Sequence, residues 1–367
     1  MQLDRFPGRS ILSDKLLRTL GTASDYEEDV ALELGAEAVS AFSYALGLFE
    51  GLQRSSGEPA ICHTADVAIR AADLGLPSRY LVTALLHDCV EDTSSSPEAY
   101  VHGLGEIERR FGAELRDNVR LLTNRYSIIV NQAIRSLGSR AVPLRMSTES
   151  LTRVAAEIRV LRRVLPARVL EILGREYNRL AETLTEFDLT EGLAIHQVNR
   201  RYNVSTEIGL HVYGLFIDDM VDDFKRRNSA TEPGCYDVVM VVKFMDAVDN
   251  LRTSAATEKM KLEKILRKTQ MVLDKSFHLH EYLYKSKLDD RTFALAYEYL
   301  KYTLVEQMLE RKRALQNLAD TRFSPLSDFM VEQITVLEAK YKIEHNPPER
   351  LAGLRQELRA LTAESGS

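Results

Sequence analysis

The sequence predicts an all-α protein, and three observations support this fold class. Helix-forming residues dominate the 367 positions, strand-like alternation of apolar and polar residues is scarce, and the 10 Pro and 18 Gly residues are scattered. A chain of this length provides one to two domains' worth of residues and can bury a large core. We therefore expect packed helices.

Residues 85–93 carry the clearest functional signal, with the sequence Leu-Leu-His-Asp-Cys-Val-Glu-Asp-Thr. The residues before them are mostly apolar and predict a buried helix that continues through this stretch. On one continuous helix His87 and Glu91 would share a face, and so would Asp88 and Asp92. Ionisable groups on a buried helix are costly unless they are paired or bind a cation. The stretch therefore predicts a site.

An upstream segment adds another imidazole. The residues Gly57, Glu58 and Pro59 predict a turn, because Gly and Pro are the strongest turn formers. This turn would deliver His63 to the start of a helix over residues 64–74.

A downstream segment adds further carboxylates. An apolar run over residues 238–245 ends at Asp246. If the segment is helical, Asp246, Asp249, Asn250 and Thr253 fall at i, i+3, i+4 and i+7, which is one polar stripe on a buried element.

Together these segments predict a metal centre made of two imidazoles and two carboxylates. Nitrogen and oxygen donors of this kind suit a borderline divalent cation. Spare coordination positions would hold a water and a phosphate oxygen. We expect Mn²⁺, with Fe²⁺, Zn²⁺ or Mg²⁺ as alternatives.

The order of these blocks resembles the HD metal-dependent phosphohydrolase superfamily, and in detail the (p)ppGpp hydrolase domain of RelA/SpoT-type alarmone enzymes. Members carry an Arg-x-Ser-Gly-Glu-Pro stretch before the first His, a Leu-Leu-His-Asp-x-x-Glu-Asp-Thr box, a Phe-Gly dipeptide and a closing Asp-x-x-x-Asn-x-Arg-Thr. These blocks fall here at residues 54–63, 85–93, 111–112 and 246–253. The 24-residue interval between His63 and His87 also matches the family.

The resemblance implies a role for each candidate site residue. It implies that His63, His87, Asp88 and Asp246 hold the metal, while Glu91 and Asp92 orient or deprotonate the attacking water. It also implies that Arg54 and Asn250 contact the nucleotide or its phosphates, with Thr253 near the base or sugar. Arg54 would offer a planar fork to phosphate oxygens.

Three positions depart from the family pattern. Ser55 stands where a basic residue is common, Ala247 where an Arg is usual, and Asp249 where a His is usual. The added carboxylate of Asp249 could bind a second cation or repel a polyphosphate.

The spacing of the blocks predicts an interrupted domain. We expect an N-terminal segment (1–34), a first part of the HD helical bundle (35–125), a helical insertion (126–235), a last part of the bundle (236–275) and a C-terminal helical extension (276–367). Helical spacing of apolar residues predicts insertion helices over 126–133, 150–163 and 166–185. Amphipathic helices are expected over 257–342, ending before the two prolines of 346–348.

Composition limits the location and the partners. The cysteines Cys62, Cys89 and Cys235 have no metal-finger spacing, and their odd number argues against a disulfide framework, so we expect cytoplasmic residence. Cys62 and Cys89 are read as buried packing residues. No signal peptide or membrane-spanning run is expected. A net charge of −6 disfavours broad nucleic-acid binding. A homo-oligomer through the insertion or the C-terminal helices is possible.

A second acidic cluster lies in the predicted insertion, over residues 218–223. It resembles the Asp-Asp-x-x-Asp box by which isoprenoid synthases bind magnesium diphosphate. We favour a solvated acidic helix face with Phe216 and Val221 turned inward, and leave open a second cation site in the same pocket.

The function expected from the sequence is that of a guanosine-3′,5′-bis(diphosphate) 3′-pyrophosphohydrolase that releases diphosphate. No counterpart of the family's synthetase half is found in this sequence, so we expect hydrolysis only. One alternative keeps the site and changes the substrate to another nucleotide or dinucleotide phosphate. The other is a regulatory protein that senses a nucleotide in an HD pocket; intact Glu91 and Asp92 argue against it.

Overall fold

The computed structural model describes residues 11–18, 21–54, 57–137, 167–183, 204–228, 237–254, 259–276, 279, 296, 298–308, 310–311, 352–354 and 356–357. The regular elements of these residues are helices, which confirms the all-α class. They are α1 Ile11–Arg18, a 3-10 turn Ala23–Asp25, α2 Glu27–Leu34, α3 Ala36–Leu48, α4 Ala60–Asp73, α5 Ser78–Leu86, α6 Cys89–Thr93, α7 Pro97–Phe111, α8 Ala113–Leu122, α9 Arg125–Leu137, α10 Ala167–Thr183, α11 Val204–Asn228, α12 Asp237–Thr253 and α13 Lys259–Ser276.

The described residues fall into two compact units, which differ from the predicted domain ranges in their bounds. Unit 1 comprises those within 1–89 and 221–367, and unit 2 comprises those within 90–220.

Helices α3, α4, α5 and α12 form the body of unit 1. Helix α4 packs against α5 and α12, and α5 also packs against α3 and α12. Nearly every residue of α4 is buried, as are most residues of α12. The polar side chains of these two helices therefore lie inside the unit, where they need partners.

Unit 2 is built on α7, which packs against α8 and α9. The hydroxyl of Ser96 accepts a hydrogen bond from the backbone N–H of Ala99 at 3.2 Å, and Pro97 begins the helix. The predicted Phe-Gly block ends α7, and Gly112 makes the turn into α8 with a φ of +94°. None of the described helices has the length and apolar composition needed to cross a bilayer.

Several predicted helices are confirmed with shifted bounds. Helix α4 begins at Ala60, earlier than expected, because Pro59 occupies its N-cap with a fixed φ of −53°. Helices α9 and α10 correspond to the predicted helices 126–133 and 166–185. Helix α13 and residues 298–308 confirm parts of the helices expected over 257–342. The helix predicted over 150–163 and the prolines of 346–348 lie outside the described residues.

The prediction of one continuous helix through the His-Asp box is wrong. Helix α5 ends at Leu86, His87 and Asp88 form a turn, and α6 begins at Cys89. The ring Nδ1 of His87 donates a hydrogen bond to the carbonyl of Ala84 at 2.7 Å, so a side chain satisfies a carbonyl at the helix end. The argument that residues four apart in this box share a helix face therefore fails.

The predicted turn before α4 is confirmed. The N–H of Arg54 donates to the carbonyl of Glu58 at 2.8 Å, and the N–H of Gly57 donates to the carbonyl of Arg54 at 2.8 Å. Gly57 has a φ of +85°, in the left-handed region that costs other residues energy.

Replacing Gly57 by Ala should lower the free energy of unfolding by about 1 kcal/mol, because of this backbone angle. An added Cβ would meet no atom within 4 Å, so sterics contribute nothing. The matched control is Gly47→Ala, in helix α3 and equally uncrowded, which should raise stability by about 0.5–1 kcal/mol. Urea unfolding measures both. A Gly57→Ala protein as stable as Gly47→Ala would contradict the assigned turn.

Candidate metal centre

Four side chains converge inside unit 1, from three parts of the chain. Nε2 of His63, on α4, lies 3.1 Å from Oδ1 of Asp246, on α12, and 3.5 Å from Oδ2 of Asp88. Nε2 of His87 lies 3.2 Å from Oδ1 of Asp88 and 3.9 Å from Oδ1 of Asp246. The structure thus brings together all four residues predicted as metal ligands.

The two imidazoles turn the same ring atom towards the carboxylates. In His87, Nδ1 donates to the carbonyl of Ala84, so Nε2 is the ring nitrogen left for a metal. This Nε2 is buried and makes no hydrogen bond. A buried ring nitrogen without a hydrogen bond, facing carboxylates, is a donor atom suited to a divalent cation. The residues present therefore fit a divalent metal.

The charges of the cluster support the same reading. Burial lowers the pKa of the His87 ring, but Asp88 and Asp246 outweigh it and raise that pKa well above its usual value. Burial raises the pKa of Asp88, but His87 outweighs it and lowers the pKa to about 2. Ionised carboxylates thus hold protons on the imidazoles, and a divalent cation can replace those protons.

Lys243 is a site residue that the sequence reasoning missed. Its Nζ donates to Oδ2 of Asp246 at 2.7 Å, and its side chain is only 9% exposed. Because Oδ2 is occupied, Oδ1 is the atom that faces the two histidines. A signal for this role was present, since Lys243 is the one charged residue of the run 238–245 and lies three positions before Asp246, on the same helix face.

Asp249 is held by cationic side chains. It is fully buried; its Oδ2 lies 2.7 Å from Nδ1 of His63 and accepts from Arg54 at 3.3 Å, and its Oδ1 accepts from Arg252 at 2.9 Å. Burial raises the pKa of Asp249, but the His63 hydrogen bond and nearby arginines outweigh it and hold that pKa well below the usual range. The sequence left two roles open for this carboxylate, binding of a second cation and repulsion of a polyphosphate. The nearby arginines offset the negative charge of Asp249, which argues against repulsion of a polyphosphate.

The residues predicted to contact the nucleotide lie on the same side of α12. Nη2 of Arg54 donates to Oδ1 of Asn250 at 2.7 Å, and Nδ2 of Asn250 donates to Oδ1 of Asp246 at 2.5 Å. The hydroxyl of Thr253 donates to the carbonyl of Asp249 at 2.9 Å, within its own helix. Arg54 and Asn250 are thus brought together, and the nucleotide contacts stay predictions.

Glu91 and Asp92 lie on α6. The Oε2 atom of Glu91 accepts a hydrogen bond from the backbone N–H of Asn124 at 2.7 Å, and Oδ1 of Asn124 in turn accepts from the N–H of Ser127 at 3.1 Å. Glu91 therefore stabilises the N-terminus of α9 by a hydrogen bond, a role that the sequence did not indicate. Asp92 is exposed. A role of either carboxylate in chemistry stays a prediction.

The acidic cluster 218–223 matches the expected solvated helix face only in part, because Asp223 is buried and pairs with Arg226. Phe216 and Val221 are buried, while Asp219 and Asp222 are exposed. Asp219 accepts hydrogen bonds from Arg125, at 2.8 Å, and from the hydroxyl of Tyr126. Among the described residues, the ligand atoms that all lie within 4.8 Å of one another belong to His63, His87 and Asp88, and Asp246 adjoins this group through its contacts with both histidines.

The two described cysteines, Cys62 and Cys89, are buried and unoxidised, which agrees with a packing role.

Comparison with known proteins shows what part of the chain is similar to. Residues 41–172 match a family model described as "HD domain". The guanosine-3′,5′-bis(diphosphate) 3′-pyrophosphohydrolase of Aquifex aeolicus (strain VF5) is 34% identical over 87 residues, which are 24% of this chain and 12% of that protein. The bifunctional (p)ppGpp synthase/hydrolase SpoT of Escherichia coli (strain K12) is 41% identical over 85 residues, 22% of this chain and 11% of that protein.

A third relative, the GTP pyrophosphokinase of Myxococcus xanthus, is 34% identical over 94 residues, 26% of this chain and 11% of that protein. The matches therefore span about a tenth of these relatives' length. No solved structure matches significantly. The resemblance predicted from the motifs is confirmed at the level of an HD domain similar to RelA/SpoT-type proteins.

Replacing Lys243 by Met should destabilise the protein by about 3 kcal/mol, because Oδ2 of Asp246 would be left buried without its cation. Mn²⁺ affinity should also fall, since Asp246 would lose the contact that directs Oδ1 to the histidines. Urea unfolding and Mn²⁺ titration of the folded variant measure the two effects. The control is Lys15→Met, which removes a half-exposed ion pair with Asp29 and should change both far less. Equal effects of the two substitutions would contradict the role of Lys243.

Proposed function

Because the chain carries an HD domain similar to that of RelA/SpoT-type proteins, we propose that it is a metal-dependent nucleotide phosphohydrolase. In its specific form, the proposal is hydrolysis of guanosine 3′,5′-bis(diphosphate) at the 3′ position, which releases diphosphate and leaves guanosine 5′-diphosphate. The protein would act in the cytoplasm; assembly into a homo-oligomer stays a prediction.

One observation carries the proposal: four metal-type ligands from α4, the turn after α5, and α12 come together. Nε2 of each histidine lies within 3.9 Å of Oδ1 of Asp246 and within 3.5 Å of an oxygen of Asp88, and Nε2 of His87 lacks a hydrogen bond. His63, His87, Asp88 and Asp246 would hold the ion. Mn²⁺ is the proposed metal, because mixed imidazole and carboxylate donors suit it.

A bound divalent cation would make a water a good nucleophile near neutral pH and would polarise a phosphoryl oxygen. The chain's own residues would supply the remaining functions. Glu91 or Asp92, which follow the His-Asp pair closely in sequence, would take the proton of the attacking water. The hydrogen bond from Asn124 restricts the Glu91 carboxylate, which favours Glu91 as the better-defined base.

Arg54 and Asn250 would bind the phosphates, with Thr253 near the base or sugar. The guanidinium of Arg54 is paired with Asp249 and Asn250 and is 21% exposed, so part of it is open to a ligand. Its planar fork matches phosphate oxygens.

A different nucleotide phosphate is the second candidate substrate. It is favoured by Asp249 and Ala247, which stand where the resembled family has His and Arg. Both residues are buried close to Asp246 on α12, so changes there would alter what lies next to the phosphates.

The test is a hydrolysis assay with Mn²⁺-loaded protein on a panel of guanosine and adenosine nucleotides, 3′-phosphorylated nucleotides and dinucleoside polyphosphates. We expect guanosine 5′-diphosphate and diphosphate from guanosine 3′,5′-bis(diphosphate), identified by ion-exchange chromatography and mass spectrometry. Cleavage of another member only would replace the substrate and keep the class. A metal-loaded protein that cleaves no member of the panel would overturn the proposed function.

Glu91→Gln separates chemistry from anchoring, because the amide oxygen can still accept the Asn124 N–H while the base is lost. Turnover should fall by about 10²–10⁴-fold with Mn²⁺ retained. Glu98→Gln, on the exposed side of α7, is the control and should leave turnover unchanged. Near-normal turnover of Glu91→Gln would remove Glu91 from the mechanism.

A further inference from the structure

We propose that Asp249 is the positioning residue of the metal centre: its carboxylate fixes the His63 ring so that Nε2 faces the ion. The inference rests on the metal binding proposed above and assigns a task to a residue that departs from the resembled family.

The first observation is the pair of contacts made by the two nitrogens of His63. Nδ1 lies 2.7 Å from Oδ2 of Asp249, and on the other side of the ring Nε2 lies 3.1 Å from Oδ1 of Asp246. An ionised carboxylate only accepts hydrogen bonds, so Nδ1 is the donor to Asp249 and Nε2 is the nitrogen that would offer its lone pair to a metal. This is the carboxylate–histidine–metal arrangement, in which the outer carboxylate sets the ring's tautomer and angle.

The second observation is that Asp249 is itself held rigidly. Its Oδ1 accepts from Nη2 of Arg252 at 2.9 Å and from Nε of Arg252 at 3.2 Å, while Arg70 lies 3.6 Å away. Arg252 is in turn paired with Asp66 on α4. Because Oδ1 binds the arginine and Oδ2 binds the imidazole, Asp249 is committed to orientation and is not a ligand of a second cation.

The third observation is the contrast between the two histidines. His87 is oriented by the neutral carbonyl of Ala84 in the preceding helix, whereas His63 is oriented by a carboxylate that is 186 residues away in sequence, on α12. The bond between His63 and Asp249 therefore exists only when α4 and α12 are docked. Asp249 thus links the geometry of His63 to the docking of α12, the helix that bears Asp246.

A structural role would explain burial of Asp249 equally well, with the carboxylate serving only to neutralise Arg252. Asp66→Asn distinguishes the two, because it removes a carboxylate from the same arginine and leaves the His63–Asp249 bond in place. Asp249→Asn preserves the shape of the side chain and keeps an oxygen for Nδ1. Asp249→Ala removes the contact.

Mn²⁺ dissociation constants of the wild-type protein and these three variants provide the test, with circular dichroism as the check of folding. We expect Asp249→Ala to weaken binding about 10–100-fold, Asp249→Asn to weaken it less, and Asp66→Asn to bind nearly as the wild type. Wild-type affinity in a folded Asp249→Ala protein would overturn the proposal. Equal losses in Asp249→Asn and Asp66→Asn would also overturn it, in favour of charge neutralisation.

A measurement on the wild-type protein covers the case in which Asp249 variants do not fold. In ¹⁵N-histidine NMR spectra of the Zn²⁺-loaded protein, His63 should show a protonated Nδ1 and a metal-bound Nε2. The opposite tautomer would overturn the proposal. A wild-type protein that binds neither Mn²⁺ nor Zn²⁺ would overturn the metal-dependent function as well, whereas bound metal with the opposite tautomer overturns only the role of Asp249.

Discussion

The structure of unit 1 depends on the burial of charged side chains between α4 and α12. His63 stands between Asp249 and Asp246, and Lys243 and Arg252 complete the pairing of those two carboxylates. Networks of this kind contribute little net stability, because desolvation of the ions offsets their attraction, but loss of one partner costs about 3–5 kcal/mol. The network therefore determines the geometry in which α4 and α12 dock more than it adds to the stability of their packing. Two of the candidate metal ligands, His63 and Asp246, belong to this network.

The same constraint shows how much of the site could be predicted from the sequence. The all-α class and the four candidate ligands followed from composition and from ordered motifs, because those features are local in sequence. The turn at His87 and Asp88 was missed, since it depends on a ring-to-carbonyl bond that helix periodicity does not reveal. The contacts of Asp249 were missed for a different reason: its partners on α4 and α12 meet only in the folded chain.

Glu91 shows how one side chain can serve structure and remain a candidate for chemistry. The family resemblance implied a carboxylate placed for catalysis, whereas its hydrogen bond to the backbone of Asn124 gives it a structural task at the start of α9. A fixed carboxylate loses less conformational entropy when it acts as a base, so the two tasks are compatible.

The C-terminal part of the chain helps to hold α12, because Arg311 donates hydrogen bonds to the carbonyls of Leu251 and Arg252 at the end of that helix.

The central claim is that His63, His87, Asp88 and Asp246 form one divalent metal site. Anomalous diffraction from crystals soaked in Mn²⁺ tests it most directly, because it locates the ion without reference to any substrate. The account predicts a single strong peak within coordination distance of Nε2 of both histidines and of an oxygen of each aspartate. A peak at the acidic cluster 218–223 with none among these four residues would contradict it.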